Sequence, residues 1–238
     1  MGSVRHVTAA TTAVRATDLR SPRDVARRFV RTGSGQALVP VVAALVVVRL
    51  VVGEWGRGDL VVLGVVVVLT GFVEWVLHLY VLHASPDAWT ATRLGLGAGH
   101  RRHHLDPPDL QWLLLRGPEA LVFLAALVVF STLWTTPLVL LVGGEWWPSV
   151  LTAWTLTAAG VLHYEWTHLL VHTAHRPRTR FYARLARNHR RHHFRNERYW
   201  LGVTSNLGDR VLGTLPRSTA DVPLSGTART LDADADAD

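Results

Sequence analysis

The sequence predicts an all-α integral membrane protein, with four transmembrane helices in two hairpins and a cytoplasmic helical cap that is rich in histidine. Two observations predict this fold class. Hydrophobic residues make up 49% of the 238 residues and are gathered into long blocks of valine, leucine and alanine. Ten of the 13 histidines form four tight clusters, each at the end of such a block or in a basic segment that follows one.

Four apolar stretches are long enough to cross a bilayer, because a transmembrane helix needs about 20 mostly apolar residues. They cover residues 36–53, 59–82, 118–142 and 148–172. Short turns join the first stretch to the second and the third to the fourth, so the four helices should form two hairpins. The membrane domain as a whole is predicted to cover residues 36–215.

The two ends of the chain lie outside this domain. Residues 1–35 are polar and rich in arginine, and the segment SPRDVARRFV (21–30) places a serine before a proline at the first helical position. This pattern predicts a short amphipathic helix, which we expect to lie on the membrane surface. Residues 216–238 end in the acidic low-complexity run LDADADAD, and we expect this tail to be disordered.

Charge predicts the orientation of the helices. Arginine supplies all 25 basic residues, with seven in 1–35, four in 93–116 and twelve in 176–229, whereas the two short turns within the hairpins hold only Arg57. Excess arginine marks cytoplasmic loops, so both termini and the loop between the hairpins should face the cytoplasm.

The net charge of +7 would also suit a nucleic-acid-binding protein. A nucleic-acid binder has no need of this alternation between basic and neutral loops, so we predict no nucleic-acid partner. The arginine-dense stretch 176–198 is instead expected to bind anionic lipid headgroups.

The histidine clusters all fall on the predicted cytoplasmic side, although charge and histidine position are independent features of the sequence. Imidazole is the commonest protein ligand for transition metals, and the absence of cysteine excludes thiolate ligands. The motif HxxHH occurs once in each half, which suggests two half-sites that meet at a two-metal centre. His78 and His83 are five residues apart, a splayed spacing on a helix, so these two could serve different ions. Several imidazole ligands with open positions favour iron for oxygen chemistry, but the spacing leaves zinc, copper and nickel open.

Four motifs in order resemble those of the fatty acid hydroxylase superfamily, which includes sterol desaturases and fatty acid 2-hydroxylases. They are FVEWVLHLYVLH (72–83), HRRHH followed by PPD (100–109), YEWTHLLVH (164–172), and NHRRHH with GVTS and a closing GT downstream (188–214). The resemblance implies an enzyme that uses two iron ions and O2 to insert a hydroxyl group, or a double bond, into a membrane lipid. We expect no fused haem donor domain, so electrons would come from a separate electron-transfer protein. The resemblance assigns metal ligation to ten residues and names no other catalytic group: His78, His83, His100, His103, His104, His168, His172, His189, His192 and His193.

Other residues are candidates for a supporting role. Many members carry a further histidine where Thr173 stands here, and His175 could replace it as an extra ligand. Ligand imidazoles usually donate their second N–H to a carboxylate or a carbonyl. Four carboxylates lie near enough in sequence to accept such a bond, with helix capping or an arginine pair as the alternative: Glu74, Glu165, Asp109 and Asp209.

The sequence leaves two other functions open. Carotenoid ring hydroxylases tend to have H-x4-H in the third motif, and the spacing of His163 and His168 could mimic it. A non-catalytic membrane metal protein or transporter would also bind metal. Transporters more often carry carboxylates and broken helices near the middle of the bilayer, whereas these histidines gather at one face.

Overall fold

A computed structural model describes residues 14–94 and 96–231, with only the backbone of Leu94. Within these residues the regular secondary structure is helical and no strand occurs, which confirms the all-α prediction. The helices are α1 (Pro22–Phe29), α2 (Gly33–Val52), α3 (Arg57–Leu77, continued by a π-helical turn His78–Leu82), α4 (Trp89–Leu94), α5 (Ala98–Leu105), α6 (Leu110–Leu113), α7 (Gly117–Leu141), α8 (Trp146–His172), α9 (Arg180–Phe194) and α10 (Leu207–Val211).

Three helical segments among the described residues are long and apolar enough to cross a membrane. They are Gly33–Val52, Arg57–Leu82 and Leu110–Leu141. Many of their large apolar side chains are exposed, for example Val51 and Leu141, which suits contact with lipid. The three segments coincide with the first three predicted spans.

The fourth predicted span forms the long helix α8, which differs in character from the other three. It packs against α2, α3 and α7, and a large part of its surface is buried. Because its neighbours are protein, α8 can carry polar residues such as Thr152 and Thr167 that a lipid-facing helix would seldom expose. Whether α8 crosses the membrane therefore stays a prediction.

Helix α1 forms where the sequence predicts it, and the hydroxyl of Ser21 accepts a hydrogen bond from the Asp24 amide at 3.2 Å. Its apolar face, however, does not lie free on a membrane. Val25 and Phe29 are buried in a cluster that includes Leu169 of α8. The ring of Phe29 meets that of Trp166 edge-on at 5.5 Å, so α1 is docked on the end of α8.

Arg49, near the far end of α2, is almost fully buried with an exposed fraction of 2%. Its Nη2 lies 2.7 Å from Oδ1 of Asp59 at the start of α3, and its Nε donates to the Thr152 hydroxyl of α8 at 2.6 Å. The same Asp59 oxygen also accepts a hydrogen bond from Thr152. This polar cluster ties α2, α3 and α8 together at the end opposite the histidines.

The predicted disorder of residues 216–238 is wrong for 216–231. Val222 and Ala228 are buried, and the carbonyl of Val222 accepts hydrogen bonds from the Arg195 guanidinium. These contacts use main-chain groups, which every composition supplies, so the composition of the tail gave no sign of them. Residues 232–238, with most of the acidic run, and residues 1–13 of the polar N-terminal segment lie outside the described residues.

Candidate metal centre

The ten histidines predicted as ligands come together in one place, although they belong to four segments of the chain. The π-helical turn after α3, helix α5, the end of α8, and helix α9 each carry one cluster. Helices α3 and α8 start at the same end of the molecule, where Asp59 contacts Thr152, so their histidine-bearing ends also lie together. Two groups of five result: group one is His78, His83, His100, His104 and His192, and group two is His103, His168, His172, His189 and His193.

Each group is nearly as compact as a single ion requires. Within a group, one ring nitrogen from each histidine lies within 4.8 Å of the corresponding nitrogen of every other member. Nitrogen ligands on opposite sides of a transition-metal ion stand roughly 4 Å apart, since each bond is about 2.0–2.1 Å long. The groups also adjoin, because the ring centroids of His104 and His193 are 4.2 Å apart. The arrangement can hold two neighbouring metal ions.

The π-helical turn brings His78 and His83 into the same group. The amide of His83 donates to the carbonyl of His78 at 3.1 Å, which adds one residue to the turn, and the two ring centroids are 4.7 Å apart. On a regular α-helix residues five apart diverge, but a π turn aligns them, and such turns occur frequently at functional sites. The prediction that these histidines could serve different ions is therefore not supported by the geometry.

The two HxxHH helices each contribute to both groups. Consecutive residues point about 100° apart around an α-helix, so His103 and His104 of α5 face different groups, as do His192 and His193 of α9. Each group thus takes four histidines from one half of the chain and a fifth from the other half. The half-sites suggested by the duplicated motif are interlocked by one exchanged histidine on each side.

Main-chain carbonyls hold the outer nitrogens of three histidines in group one. In each case Nδ1 faces a carbonyl oxygen, so Nδ1 carries the proton and Nε2 offers its lone pair to the interior of the group. Two of these carbonyls belong to residues 199–204, which we call the carbonyl loop, and the third belongs to the C-terminal segment. The pairs are His78 with Leu201 at 2.5 Å, His192 with Tyr199 at 2.9 Å, and His104 with Ala228 at 2.8 Å.

The inner nitrogens fit a metal ion. Among residues 14–94 and 96–231, no hydrogen-bond partner faces the buried Nε2 atoms of seven histidines: His78, His83, His100, His103, His104, His168 and His192. Leaving a buried polar atom without a partner costs about 1–3 kcal/mol, and seven together would be hard to sustain without a bound cation. In group two, Nε2 of His189 lies 2.9 Å from Nε2 of His172 and 3.0 Å from Nε2 of His193, which brings three ring nitrogens close together.

The histidines of α5 and α9 are neutral near physiological pH. Burial is the largest cause, and it lowers the pKa of His103 and His192 well below the usual value and that of His104 to about 3. A neutral imidazole has a free lone pair, which metal binding requires.

Glu74 and Asp209 support the carbonyl loop and do not accept bonds from imidazole among the described residues. Glu74 accepts from the Val203 amide, from the Thr204 amide at 2.9 Å and from the Thr204 hydroxyl at 2.6 Å. Asp209 accepts from the amides of Leu201 at 2.9 Å and Gly202 at 2.8 Å. Both carboxylates therefore act on the histidines one step away, by fixing the loop that carries two carbonyl partners.

Glu165 and Asp109 have structural contacts. Glu165 accepts from the Leu115 amide at 3.0 Å, which joins α8 to the start of α7. Asp109 is the N-cap of α6 and accepts from the Gln111 amide at 2.9 Å, the capping alternative considered above.

The two remaining candidate histidines stand apart from the metal centre. His175 lies after the end of α8 and belongs to neither group, so the structure does not bring it in as a replacement at Thr173. His163 is exposed on α8 and is also outside both groups. The spacing of His163 and His168 that allowed a carotenoid ring hydroxylase therefore has no counterpart in the geometry.

Sequence reasoning missed the carbonyl partners and one buried hydroxyl. The motif GVTS points to the carbonyl loop only indirectly, and nothing in the sequence marks Ala228. Tyr164 belongs to a quoted motif, and its ring lies 5.6 Å from that of His168. Its hydroxyl is buried and has no partner within the described part of the chain.

Comparison with known proteins identifies similar chains. A family model described as fatty acid hydroxylase matches residues 63–214. The chain is 28% identical over 144 residues to dihydroceramide fatty acyl 2-hydroxylase FAH2 of Arabidopsis thaliana, covering 60% of this chain and 56% of that relative. It is 32% identical over 159 residues to dihydroceramide fatty acyl 2-hydroxylase FAH1, also of Arabidopsis thaliana, and this match covers 63% of this chain and 58% of the relative. The chain thus spans little more than half the length of these curated relatives.

A solved structure is similar as well. The protein titled full-length scs7p, with only the hydroxylase domain visible, aligns with a TM-score of 0.59 and 25% identity. The alignment covers 81% of this chain and 68% of that one. The family match includes all four histidine segments and extends over most of the chain. The chain belongs to the fatty acid hydroxylase family.

Proposed function

We propose that this chain hydroxylates the acyl chain of a membrane lipid, using O2 and two iron ions held by the ten histidines. The observation that carries the proposal is the pair of adjoining five-histidine groups, with buried inner nitrogens that no other described group satisfies. Both curated relatives are named dihydroceramide fatty acyl 2-hydroxylases, and we take the fatty acyl chain as the substrate class from those names.

The reaction has a simple balance. A C–H bond of the acyl chain is broken and a C–O bond is formed with one atom of O2, while the other atom leaves as water. Two electrons and two protons are needed, and a separate electron-transfer protein would deliver the electrons. Iron bound by neutral imidazoles would supply the redox chemistry; zinc in the isolated protein would occupy the same groups without that chemistry.

The chain's own residues position the centre and limit its access to water. The carbonyl partners fix the ring orientation of three group-one histidines, and burial keeps the imidazoles neutral. The histidines of α3 and α8 stand at the ends of long helices, one of them apolar enough to span a membrane. An acyl chain lying in the bilayer could therefore reach the centre at the membrane boundary.

We further propose that α8 crosses the membrane as a fourth span, with both termini and the metal centre on the cytoplasmic side. The arginine distribution supports this orientation. Four arginines of α9 are exposed: Arg180, Arg184, Arg187 and Arg190. They suit anionic lipid headgroups on the cytoplasmic leaflet, at about 1 kcal/mol for each charge near the surface.

Isotope labelling tests the function. Membranes that contain the protein are given 18O2, and their acyl chains are analysed by mass spectrometry. We expect an 18O-labelled hydroxyl group with the unchanged chain and with the control His163→Ala, whose histidine is exposed on α8. His172→Ala, about two and a half turns further along the same helix, should give none. Labelled product from His172→Ala would contradict the proposal, and an unlabelled product with a new double bond would make the enzyme a desaturase.

A further inference from the structure

Residues 222–231, which we call the C-terminal strap, pack against the residues that follow α9 and reach His104 of group one. The strap lies beyond residues 63–214, the range that the family model matches. Val222 has an exposed fraction of 0% and Ala228 of 2%. The strap is therefore built into the protein at two points, although its sequence resembles a free tail.

The first attachment is to the residues that follow α9. The guanidinium of Arg195 donates to the carbonyl of Val222, from Nε at 2.9 Å and from Nη2 at 2.5 Å. In return, the carbonyl of Arg195 accepts from the Ser225 amide at 2.8 Å. The Asn196 side chain donates to the carbonyl of Pro223 at 3.2 Å. This attachment begins only two residues after His193 of group two.

The second attachment reaches group one. The hydroxyl of Thr227 donates to Oε1 of Glu197 at 2.9 Å, and the carbonyl of Thr227 accepts from the Leu231 amide at 2.8 Å. These bonds form a tight turn that presents the carbonyl of Ala228 to Nδ1 of His104 at 2.8 Å. No side-chain chemistry of Ala228 is required.

We propose that the strap is part of the metal site and positions His104 for group one. An unconstrained imidazole can rotate and can place its proton on either nitrogen, and a carbonyl partner at Nδ1 removes both freedoms. The other two carbonyl partners of group one come from the carbonyl loop, so the strap supplies the third support of the same group. His104 lies on α5, far from the strap in sequence, and the strap joins these distant parts of the chain. The inference rests on the metal-binding function proposed above.

Two variants and one control test the proposal. A chain that ends at Arg217 removes the strap entirely. Ala228→Leu adds a side chain where Ala228 is buried, which must displace the turn. Leu224→Ala is the control, because Leu224 lies in the strap with an exposed fraction of 74%. Each protein is purified in detergent, loaded with ferrous iron without oxygen, and analysed for iron per chain and for thermal unfolding.

We expect two irons in the unchanged chain and in Leu224→Ala, and one in the truncated chain. Ala228→Leu should bind the second iron about 10–100-fold more weakly, the usual effect of losing a partner behind a ligand. Adding His83→Ala, in group one, to the truncated chain should cause no further loss of iron. Adding His172→Ala, in group two, should remove the remaining iron.

The outcomes separate this inference from the function on which it rests. Two tightly bound irons in both the truncated chain and Ala228→Leu would overturn the role of the strap and leave the metal centre intact. No iron in the unchanged chain would overturn both proposals. If the truncated protein fails to fold, the iron affinity of Ala228→Leu, compared with that of Leu224→Ala, decides the question.

Discussion

Glu74 gives a direct test of how the metal centre is supported. Its carboxylate is buried at the end of α3 and accepts three hydrogen bonds from Val203 and Thr204 of the carbonyl loop. Glu74→Ala would leave two buried amides and one hydroxyl without a partner, at about 1–3 kcal/mol for each. We therefore expect the free energy of unfolding to fall by roughly 3 kcal/mol or more. Glu74→Gln keeps an oxygen for the amides and should cost only about 1 kcal/mol.

The same change should affect one metal group selectively. The carbonyl loop provides the carbonyl partners of His78 and His192, both in group one, so a loosened loop should weaken iron binding there about 10–100-fold. Group two has no carbonyl partner from this loop among the described residues and should keep its iron. Asp59→Ala is a matched control, since it also removes a buried carboxylate of α3 but at the opposite end.

The assay combines thermal unfolding in detergent with iron analysis after dialysis against a chelator. Glu74→Ala should melt earlier and retain one iron, and Asp59→Ala should melt earlier and retain two. If Glu74→Ala is destabilised but keeps both irons with unchanged affinity, the carbonyl loop does not position the histidines, and the reasoning is refuted.

Three further predictions concern other parts of the molecule. Arg49→Met leaves the buried charge of Asp59 without its partner and should lower the free energy of unfolding, measured by heat or denaturant, by about 3–5 kcal/mol. The double variant Arg49→Met with Asp59→Asn should lose less, and a loss equal to or larger than that of Arg49→Met alone would contradict the ion-pair account. The metal-free protein should lose stability as pH falls below about 6.5, because a buried histidine such as His104, with a folded-state pKa of about 3, takes up its proton only on unfolding. Each histidine that behaves in this way lowers the free energy of unfolding by about 1.4 kcal/mol for each pH unit below about 6.5. A melting temperature that does not change from pH 7 to pH 5 would argue against buried neutral imidazoles. Gly202→Ala places a Cβ 1.8 Å from the Ser205 carbonyl oxygen and should lower iron content, whereas Gly226→Ala, with no atom within 4 Å, should behave as the unchanged chain in the same iron assay.

The positions of the long helices could be predicted because apolarity belongs to the side chains themselves. The four predicted stretches agree with α2, α3, α7 and α8 to within a few residues. The polar character of α8 reflects its place between three other helices, and a helix's neighbours cannot be seen in its own sequence. Arg49 illustrates the same limit, because nothing in the sequence of α2 shows that Asp59 of the next helix lies beside it.

The histidine clusters could also be predicted from the sequence, but the division of the histidines between two groups could not. That division depends on a π-helical turn after α3 and on the rotation of α5 and α9 about their axes, neither of which spacing alone specifies. The carbonyl partners were invisible for a further reason, because every residue carries a carbonyl. Carboxylates are the partners that the sequence predicts for the imidazoles, whereas Glu74 and Asp209 accept hydrogen bonds from the main chain of the carbonyl loop.

The exchange of His103 and His192 between the two groups has a consequence for how the protein is made. Synthesis proceeds from the N-terminus, and group one lacks its fifth ligand until residue 192 has left the ribosome. Group two is likewise incomplete until His193 has been made, although its member His103 belongs to the first half of the chain. Neither group is complete in a half-made chain, and the synthesis of α9 completes both groups together. If the ten histidines bind metal as proposed, a chain that ends before His192 would complete neither metal position.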